Sequence, residues 1–303
     1  VVDGVHYRSD CAARNGKYPL CDELLLPSYS TAKALFAGRV FDHFAKRDPG
    51  FPDTAVLKLV PECELPDGRW QGVTLRHLAN MSTGLYDSEA FEADEGAQRM
   101  VDGFFIPTTN AARIEFACTA YPRMVPPGSV QVYHTSDTWL LGVAMNRYLQ
   151  TRRGKEADIH RDVLLREIYA PLSLSDATTH SLRSTDDDAQ PYAGFGLTFT
   201  PDDAARLGLF LADKTPDFEQ VPDWPAARGE RYRNGVWAVD AAAVVGCPEP
   251  VWIPFLSGFG GITIAMLPHG ALFYVFGDGN TFRWLRTAAQ LHAFQPWCEE
   301  PPQ

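Results

Sequence analysis

The composition of the chain is that of a globular protein. Of its 303 residues, 45% are hydrophobic, 12% aromatic and 21% charged, which excludes a disordered or fibrous chain. The 27 Lys and Arg residues against 38 Asp and Glu residues give a net charge of -11, so the chain lacks the general attraction to phosphate that nucleic-acid binding needs. We therefore expect no nucleic-acid partner.

The apolar stretches of the sequence are short. Stretches such as residues 262–267 fall far below the roughly 20 residues that cross a bilayer, so no membrane span is expected. The chain opens with Val1-Val2-Asp3-Gly4-Val5, which is typical of a strand and not of a signal peptide. A leader, if there was one, has been removed or lies upstream.

Helices are predicted mainly in the first two thirds of the chain. Phe36, Val40 and Phe44 recur at spacings of three and four, which predicts a helix over residues 30–46 with one buried stripe. The triplet Pro126-Pro127-Gly128 marks a firm break in the chain. Further helices are predicted over residues 74–80, 138–149, 201–211 and 282–293, with loops over 48–72 and 214–233.

Strands are predicted at the two ends of the chain. Besides the opening segment, residues 235–243, 262–267 and 272–276 have strand patterns, and Pro268-His269-Gly270 forms a hairpin turn between the last two. This order predicts an α/β protein of the α+β type, with an antiparallel sheet flanked by helices and an inserted, largely helical region. The sheet region is assigned to residues 1–46 and 181–303, and the helical insertion to residues 47–180.

Six cysteines are present, with no Cys-x-x-Cys pair to support a zinc ribbon or a thioredoxin-like site. An even number suits disulfide bonds in an oxidising compartment, so we expect a periplasmic or secreted protein. Cys11 and Cys21 enclose a short polar loop and are the first candidate pair, followed by Cys247 and Cys298. The alternative is six reduced cysteines, several of them buried as small hydrophobic residues.

One short motif can support nucleophilic chemistry. The sequence has no HExxH, no GxSxG, no Walker A loop and no suitably placed GxGxxG, but it contains a single Ser-x-x-Lys, from Ser30 to Lys33. Residues three apart share a helix face, so the hydroxyl and the amine can meet. Lys33 continues the buried stripe, and burial favours the neutral amine that can accept a proton from serine. The helix N-terminus at Ser30 favours an oxyanion. The alternative is an N-cap serine beside a snorkelling lysine.

Residues 26–33, LPSYSTAK, resemble the first motif of the serine β-lactamase and penicillin-binding-protein superfamily. Later segments agree in order. They are VTLRHL (73–78) with MSTGL (81–85), YHT (133–135) with LLG (140–142), IYAPLSL (168–174) and SGFGG (257–261). The last falls where the third motif of the superfamily opens a strand. The resemblance is nearest to a class C-like branch of family VIII esterases, D-aminopeptidases and 6-aminohexanoate-oligomer hydrolases, and it implies a β-lactamase/transpeptidase-like fold.

The resemblance implies roles for particular residues. Ser30 is the nucleophile, Lys33 and Tyr133 act as general base and acid, and the backbone N–H groups of Ser30 and Phe259 form the oxyanion hole. Thr135, Ser257, Gly258 and Trp237 are expected to support the site or contact the substrate. No metal or organic cofactor is expected.

The sequence departs from the family pattern at two motifs. Thr135 replaces an asparagine, and its hydroxyl, Ser136 or Asp137 could take that role. Leu256 stands where the family has Lys or His, with Ser257 in the threonine place. Loss of the cation that holds a substrate carboxylate argues against efficient penicillin binding and favours simple esters or amides.

The expected function is therefore a serine hydrolase acting on a small ester or amide through an acyl-enzyme. The alternatives are a non-catalytic binding or sensor protein on the same fold, and a periplasmic D-amino-peptidase or transpeptidase. The sequence does not define an oligomeric state.

Other residues have simpler interpretations. Trp237 either lines the pocket or is a buried strand aromatic. His77 is expected to be structural, and His134 should point away from Tyr133 because neighbours on a strand face opposite sides. The aspartates at 186–188 suit a solvated loop better than a cation site.

Overall fold

The structure, a computed structural model, describes residues 1–13, 16–222 and 229–298. Its strands, in chain order, are β1 (Ala12–Ala13), β2 (Gly16–Lys17), β3 (Leu26–Pro27), β4 (Thr198–Phe199), β5 (Glu230–Arg233), β6 (Val236–Asp240), β7 (Trp252–Gly258), β8 (Ile262–Met266) and β9 (Leu272–Val275). Its α-helices are α1 (Arg39–Arg47), α2 (Val56–Leu59), α3 (Leu75–Ala79), α4 (Gln98–Met100), α5 (Asn110–Thr119), α6 (Thr135–Arg153), α7 (Pro201–Ala212), α8 (Ala242–Val245) and α9 (Leu285–Ala288). The described residues also include three π-helical segments, Lys33–Gly38, Val101–Phe105 and Ile159–Tyr169, and several short 3₁₀ helices.

The helix that carries the Ser-x-x-Lys motif runs over residues 29–47, and we call it the SxxK helix. It begins as the 3₁₀ turn Tyr29–Thr31, continues as the π-helical segment Lys33–Gly38 and ends as α1. The predicted stripe of Phe36, Val40 and Phe44 is buried, as the spacing requires. A π-helical segment is uncommon and occurs often at functional sites.

A five-stranded antiparallel sheet, in the order β5-β6-β7-β8-β9, lies in the last quarter of the chain. Trp237 pairs with Phe255, and Leu256 pairs with Ile264. Alternation sends Leu256 and Ile264 into the main core, which they share with the helices, whereas Trp237 and Phe255 join a second cluster on the other face. The predicted mixed fold with an antiparallel sheet is confirmed, and the division at residues 46 and 180 stays a prediction.

Two strands of this sheet, β5 and β7, are not among the predicted strands. β5 lies in the predicted loop 214–233, of which residues 223–228 fall outside the described residues. Its sequence, ERYR, is charged at three of four positions, so only Tyr232 marks the buried face. The missed signal is Asn234-Gly235, because both residues have positive φ, as the tight hairpin turn between β5 and β6 requires.

The third-motif segment was misplaced in the prediction. Ser257 and Gly258 end β7, and residues 259–261 turn into β8, so the motif closes a strand instead of opening one.

The strand predicted at the start of the chain is also wrong. Val2 and Val5 form only an isolated bridge. Val1 instead exchanges backbone hydrogen bonds with Leu272, at the start of β9.

All six cysteines form disulfide bonds. The predicted pairs Cys11–Cys21 and Cys247–Cys298 are confirmed, and the remaining pair is Cys63–Cys118. The alternative of reduced cysteines is therefore wrong.

In the described part of the chain, no helix is long and apolar enough to cross a bilayer.

Candidate active site

Ser30 and Lys33 meet across one turn of the SxxK helix. Lys33 Nζ lies 2.8 Å from Ser30 Oγ, within hydrogen-bond distance. Tyr29, immediately before the serine, has a left-handed φ of 39°, which is strained for a side chain of this size. Backbone strain of this kind is often found at functional sites, and here it lies in the 3₁₀ turn that carries Ser30.

Lys33 is only 2% exposed, so its amine is almost completely removed from water. Burial lowers the pKa of Lys33 to about 8, and the negative charges of Glu95 and Glu92 oppose this shift. About one molecule in ten therefore has a neutral Lys33 at pH 7, and most have one above pH 8. The amine is thus close to the state in which it can accept a proton from Ser30.

Tyr133 precedes α6 and places its ring beside the same amine. Lys33 Nζ lies 5.0 Å from the centre of that ring. Burial raises the pKa of Tyr133 well above its ordinary value, and a hydrogen bond with Ser30 offsets part of that shift. Tyr133 is consequently a neutral phenol at physiological pH, suited to passing a proton rather than to initial deprotonation.

Trp237 lies against Tyr133 on the sheet side. Its indole stacks on the Tyr133 ring, with 5.8 Å between the ring centres and an angle of 29° between the planes, and it also contacts the Tyr232 ring. Trp237 is 5% exposed. Trp237 is therefore a buried strand aromatic that packs on Tyr133, and its contact with a substrate stays a prediction.

Thr135 begins α6 and accepts a hydrogen bond from Lys33, with Nζ and Oγ1 2.9 Å apart. Its backbone N–H donates to Glu95 Oε2 at 2.8 Å, and its hydroxyl donates to Glu95 Oε1. Sequence analysis missed Glu95. The only signal was the density of carboxylates around it, at Asp87, Glu89, Glu92, Asp94 and Glu95, and nothing in the pattern singles out one of them.

Of the two alternatives to Thr135, Asp137 is the more unusual. It is buried, and its Oδ2 has no hydrogen-bond partner among the described residues. Burial raises the pKa of Asp137 to about 7, and the nearby Glu95 acts in the same direction. The contact with Lys33 is made by Thr135.

The end of β7 closes the other side of the site. An added Cβ on Gly258 would lie 3.1 Å from the Ser28 carbonyl oxygen and 3.4 Å from Thr31, so glycine lets this strand approach the turn that carries Ser30. Phe259 is 68% exposed, and its ring contacts Tyr29 at 5.5 Å.

Leu256 and Ser257 alternate on this strand. Leu256 is completely buried in the main core, whereas Ser257 is half-buried on the opposite face of the sheet. No cation therefore occupies the Leu256 position, and its apolar side chain serves packing.

The other histidines and acids have structural roles. His77 Nδ1 accepts from the Thr74 N–H and caps α3, and His134 points away from Tyr133 to pair with Asp94 at 3.1 Å. Asp186 accepts backbone N–H groups at the start of α5. Across residues 1–13, 16–222 and 229–298, His, Cys, Asp and Glu side chains form no group of three or more that could hold a metal ion.

Solved structures with this fold come from several hydrolases and a penicillin-binding protein. EstCE1, a hydrolase with promiscuous acyltransferase activity, is 18% identical, with coverage of 92% of this chain and 88% of its own and a TM-score of 0.66. A D-stereospecific amidohydrolase from Streptomyces sp. is 13% identical, with 91% and 87% coverage and a TM-score of 0.60. A penicillin binding protein from Bacillus halodurans is 16% identical, with 93% and 90% coverage and a TM-score of 0.61.

These likenesses establish the fold. No curated protein matches the chain in sequence comparison. The family profile described as Beta-lactamase matches residues 3–289, almost the whole chain. The chain therefore belongs to the beta-lactamase family of serine hydrolases.

Proposed function

We propose that the protein hydrolyses a small ester or amide through an acyl-enzyme on Ser30. The observation that carries this proposal is the 2.8 Å contact between Ser30 Oγ and the buried amine of Lys33. Burial lowers the pKa of Lys33 to about 8, so a neutral amine is accessible near physiological pH. An N-cap serine beside a snorkelling lysine would instead leave the ammonium in water, and Lys33 is 2% exposed.

The acylation step uses the three side chains together. Neutral Lys33 takes the hydroxyl proton of Ser30 while Oγ bonds to the carbonyl carbon of the substrate. The backbone N–H groups of Ser30 and Phe259 stabilise the oxyanion. Tyr133, with Ser257, then passes a proton to the leaving oxygen or nitrogen as its bond to the carbonyl carbon breaks.

Water completes the reaction. It attacks the acyl-enzyme carbonyl and loses a proton to the Lys33–Tyr133 pair, and the ester bond to Ser30 Oγ breaks. The serine regains its proton and the acid is released. No step requires a metal or an organic cofactor.

Two features bear on substrate and location. Leu256 is apolar and buried, so it cannot hold a substrate carboxylate, which favours esters and amides without that group. EstCE1, named as a hydrolase with promiscuous acyltransferase activity, and the Streptomyces D-stereospecific amidohydrolase share the fold. Three disulfide bonds favour an oxidising compartment, and we propose that the protein is periplasmic or secreted.

A fluorophosphonate probe and p-nitrophenyl butyrate test the proposal. We expect the intact mass to increase by one probe group, peptide mapping to place it on Ser30, and Ser30→Ala to abolish both labelling and ester turnover. Ser129→Ala, at an exposed serine, is the matched control and should behave like the wild type.

The same experiment separates the alternatives. Labelling at a residue other than Ser30 would overturn the assignment. If the wild type and Ser30→Ala are equally inert towards the ester and the probe, the protein is a binding or sensor protein. Release of D-alanine from a D-alanyl peptide would identify the peptidase.

A further inference from the structure

A continuous chain of hydrogen bonds leads from Ser30 to a carboxylate outside the expected motifs. Lys33 Nζ contacts Ser30 Oγ at 2.8 Å and Thr135 Oγ1 at 2.9 Å. The Thr135 hydroxyl donates to Glu95 Oε1, and the Thr135 N–H donates to Glu95 Oε2 at 2.8 Å. Glu95 thus holds the residue that occupies the place of the family asparagine by two bonds at once.

The directions of these bonds follow from counting protons. A hydroxyl has one proton to donate, and both Glu95 oxygens act as acceptors, so the Thr135 proton goes to Glu95. The lone pairs of Thr135 Oγ1 are then left for Lys33, which must be the donor in their contact.

The direction of this hydrogen bond decides which way the lone pair of the Lys33 amine points. A neutral amine has two protons and one lone pair. With one proton given to Thr135, its lone pair is free to accept the Ser30 hydroxyl proton. If the Thr135 hydroxyl were free to rotate, it could donate into that lone pair and block the base.

We propose that Glu95 is a positioning residue that fixes the Thr135 hydroxyl and so directs the Lys33 lone pair at Ser30. This inference rests on the proposed function of Ser30 and Lys33. Glu95 itself touches neither the substrate nor the reacting atoms in this scheme.

Glu95 also affects Lys33 through its charge. The charged and titratable groups that face Lys33 are Glu95, Glu92 and Tyr133. Glu95 and Glu92 both raise the pKa of Lys33, against the effect of burial. Removing either charge should therefore move the acid limb of the pH profile to lower pH. Only removal of Glu95 should also disturb the direction of the lone pair.

The test measures kcat/KM for p-nitrophenyl butyrate against pH in Glu95→Gln and Glu92→Gln. Both variants should shift the acid limb to lower pH. At the high-pH plateau Glu95→Gln should lose about 10-fold to 100-fold in kcat/KM, part of the roughly 10²–10⁴-fold that a placed general base contributes. Glu92→Gln, the matched charge control, should keep its plateau within about twofold of the wild type.

Thr135 variants separate positioning from folding. Thr135→Val should lose a similar factor at the plateau, and Thr135→Ser, which keeps the hydroxyl, should recover most of it. Adding Glu95→Gln to Thr135→Val should cause little further loss, because the effect of Glu95 on the plateau passes through Thr135.

Two results would overturn the inference. One is a Glu95→Gln plateau within twofold of the wild type, and the other is a double variant whose losses multiply. If the wild type is labelled at Ser30 by the fluorophosphonate and either result is found, only the role of Glu95 fails. If the wild type is neither labelled nor active, the proposed function itself fails.

Discussion

Lys33, the proposed base, shows how the burial of one residue can set the pH range of activity. A lysine amine in water is charged up to about pH 10, and in that state it cannot accept a proton. Here burial lowers the pKa of Lys33 to about 8, while Glu95 and Glu92 keep it from falling further. The base is therefore only partly available at neutral pH.

We predict that kcat/KM for an ester rises with pH and levels off above about pH 8, because the neutral form of Lys33 is the active one. Below that pH the rate should change about tenfold per unit. A pH profile measured on folded protein checks this, with intrinsic fluorescence as the control for unfolding. A profile that falls between pH 6 and 8 would contradict the role of Lys33 as base.

At the scale of elements, the SxxK helix and the β5–β6 hairpin touch through their backbones. An added Cβ on Gly235 would lie 2.4 Å from the Lys33 carbonyl carbon and from the Ala34 nitrogen. The sheet therefore packs directly on the π-helical segment that presents the amine. This contact fixes the backbone of Lys33, while its amine contacts the Thr135 hydroxyl and the Tyr133 ring.

Gly235→Ala should consequently disrupt both stability and the site. Gly235 has a φ of 89°, and the new Cβ would overlap backbone atoms that cannot move aside, so we expect a loss of about 3 kcal/mol or more in the free energy of unfolding. Activity towards p-nitrophenyl butyrate should fall in the fraction that remains folded. Urea denaturation and ester turnover provide the two measurements.

Gly246→Ala is the matched control for backbone strain. Gly246 also has a positive φ, 79°, but no atom lies within 4 Å of an added Cβ. It should cost only about 1 kcal/mol and leave turnover intact. Equal losses in the two variants would show that the close approach of the hairpin to Lys33 has no importance.

The parts of the fold and of the candidate site that could be predicted from the sequence are those whose residues lie close together along the chain. The SxxK helix was predictable because its stripe at Phe36, Val40 and Phe44 has a helical period, and Ser30 and Lys33 are neighbours in sequence. Glu95 was not predictable, because its contact with Thr135 spans 40 residues and leaves no periodic pattern. β5 was missed because three of its four residues are charged and only Tyr232 is buried.

At the scale of the whole molecule, three disulfide bonds cross-link the chain over very different separations. Cys63–Cys118 joins residues 55 apart and is fully buried beside the helices, whereas Cys11–Cys21 closes a separation of 10 near the surface. A longer closed loop restricts the unfolded chain more, so the two bonds should not contribute equally.

We predict that replacing Cys63 and Cys118 together by alanine lowers the free energy of unfolding by about 4 kcal/mol, against about 3 kcal/mol for Cys11 and Cys21. The buried pair should lose somewhat more, because the removed sulfur atoms leave a cavity. Urea denaturation of the two double variants gives the comparison. A larger loss for the Cys11 and Cys21 variant would refute it.

Two buried groups, the Lys33 amine and the Asp137 carboxyl, together have a consequence for handling the protein. Burial raises the pKa of Asp137 from 3.8 to about 7 and lowers that of Lys33 from 10.5 to about 8. The stabilising effect of a protonated Asp137 is thus lost as the solution is brought from acid to neutral, and the penalty for a charged Lys33 disappears only between about pH 8 and 10.5. These two groups by themselves therefore make the free energy of unfolding lower at neutral pH than in acidic or alkaline solution. An alkaline storage buffer is therefore also one in which turnover is fastest, whereas an acidic one preserves the protein with Lys33 charged and turnover suppressed.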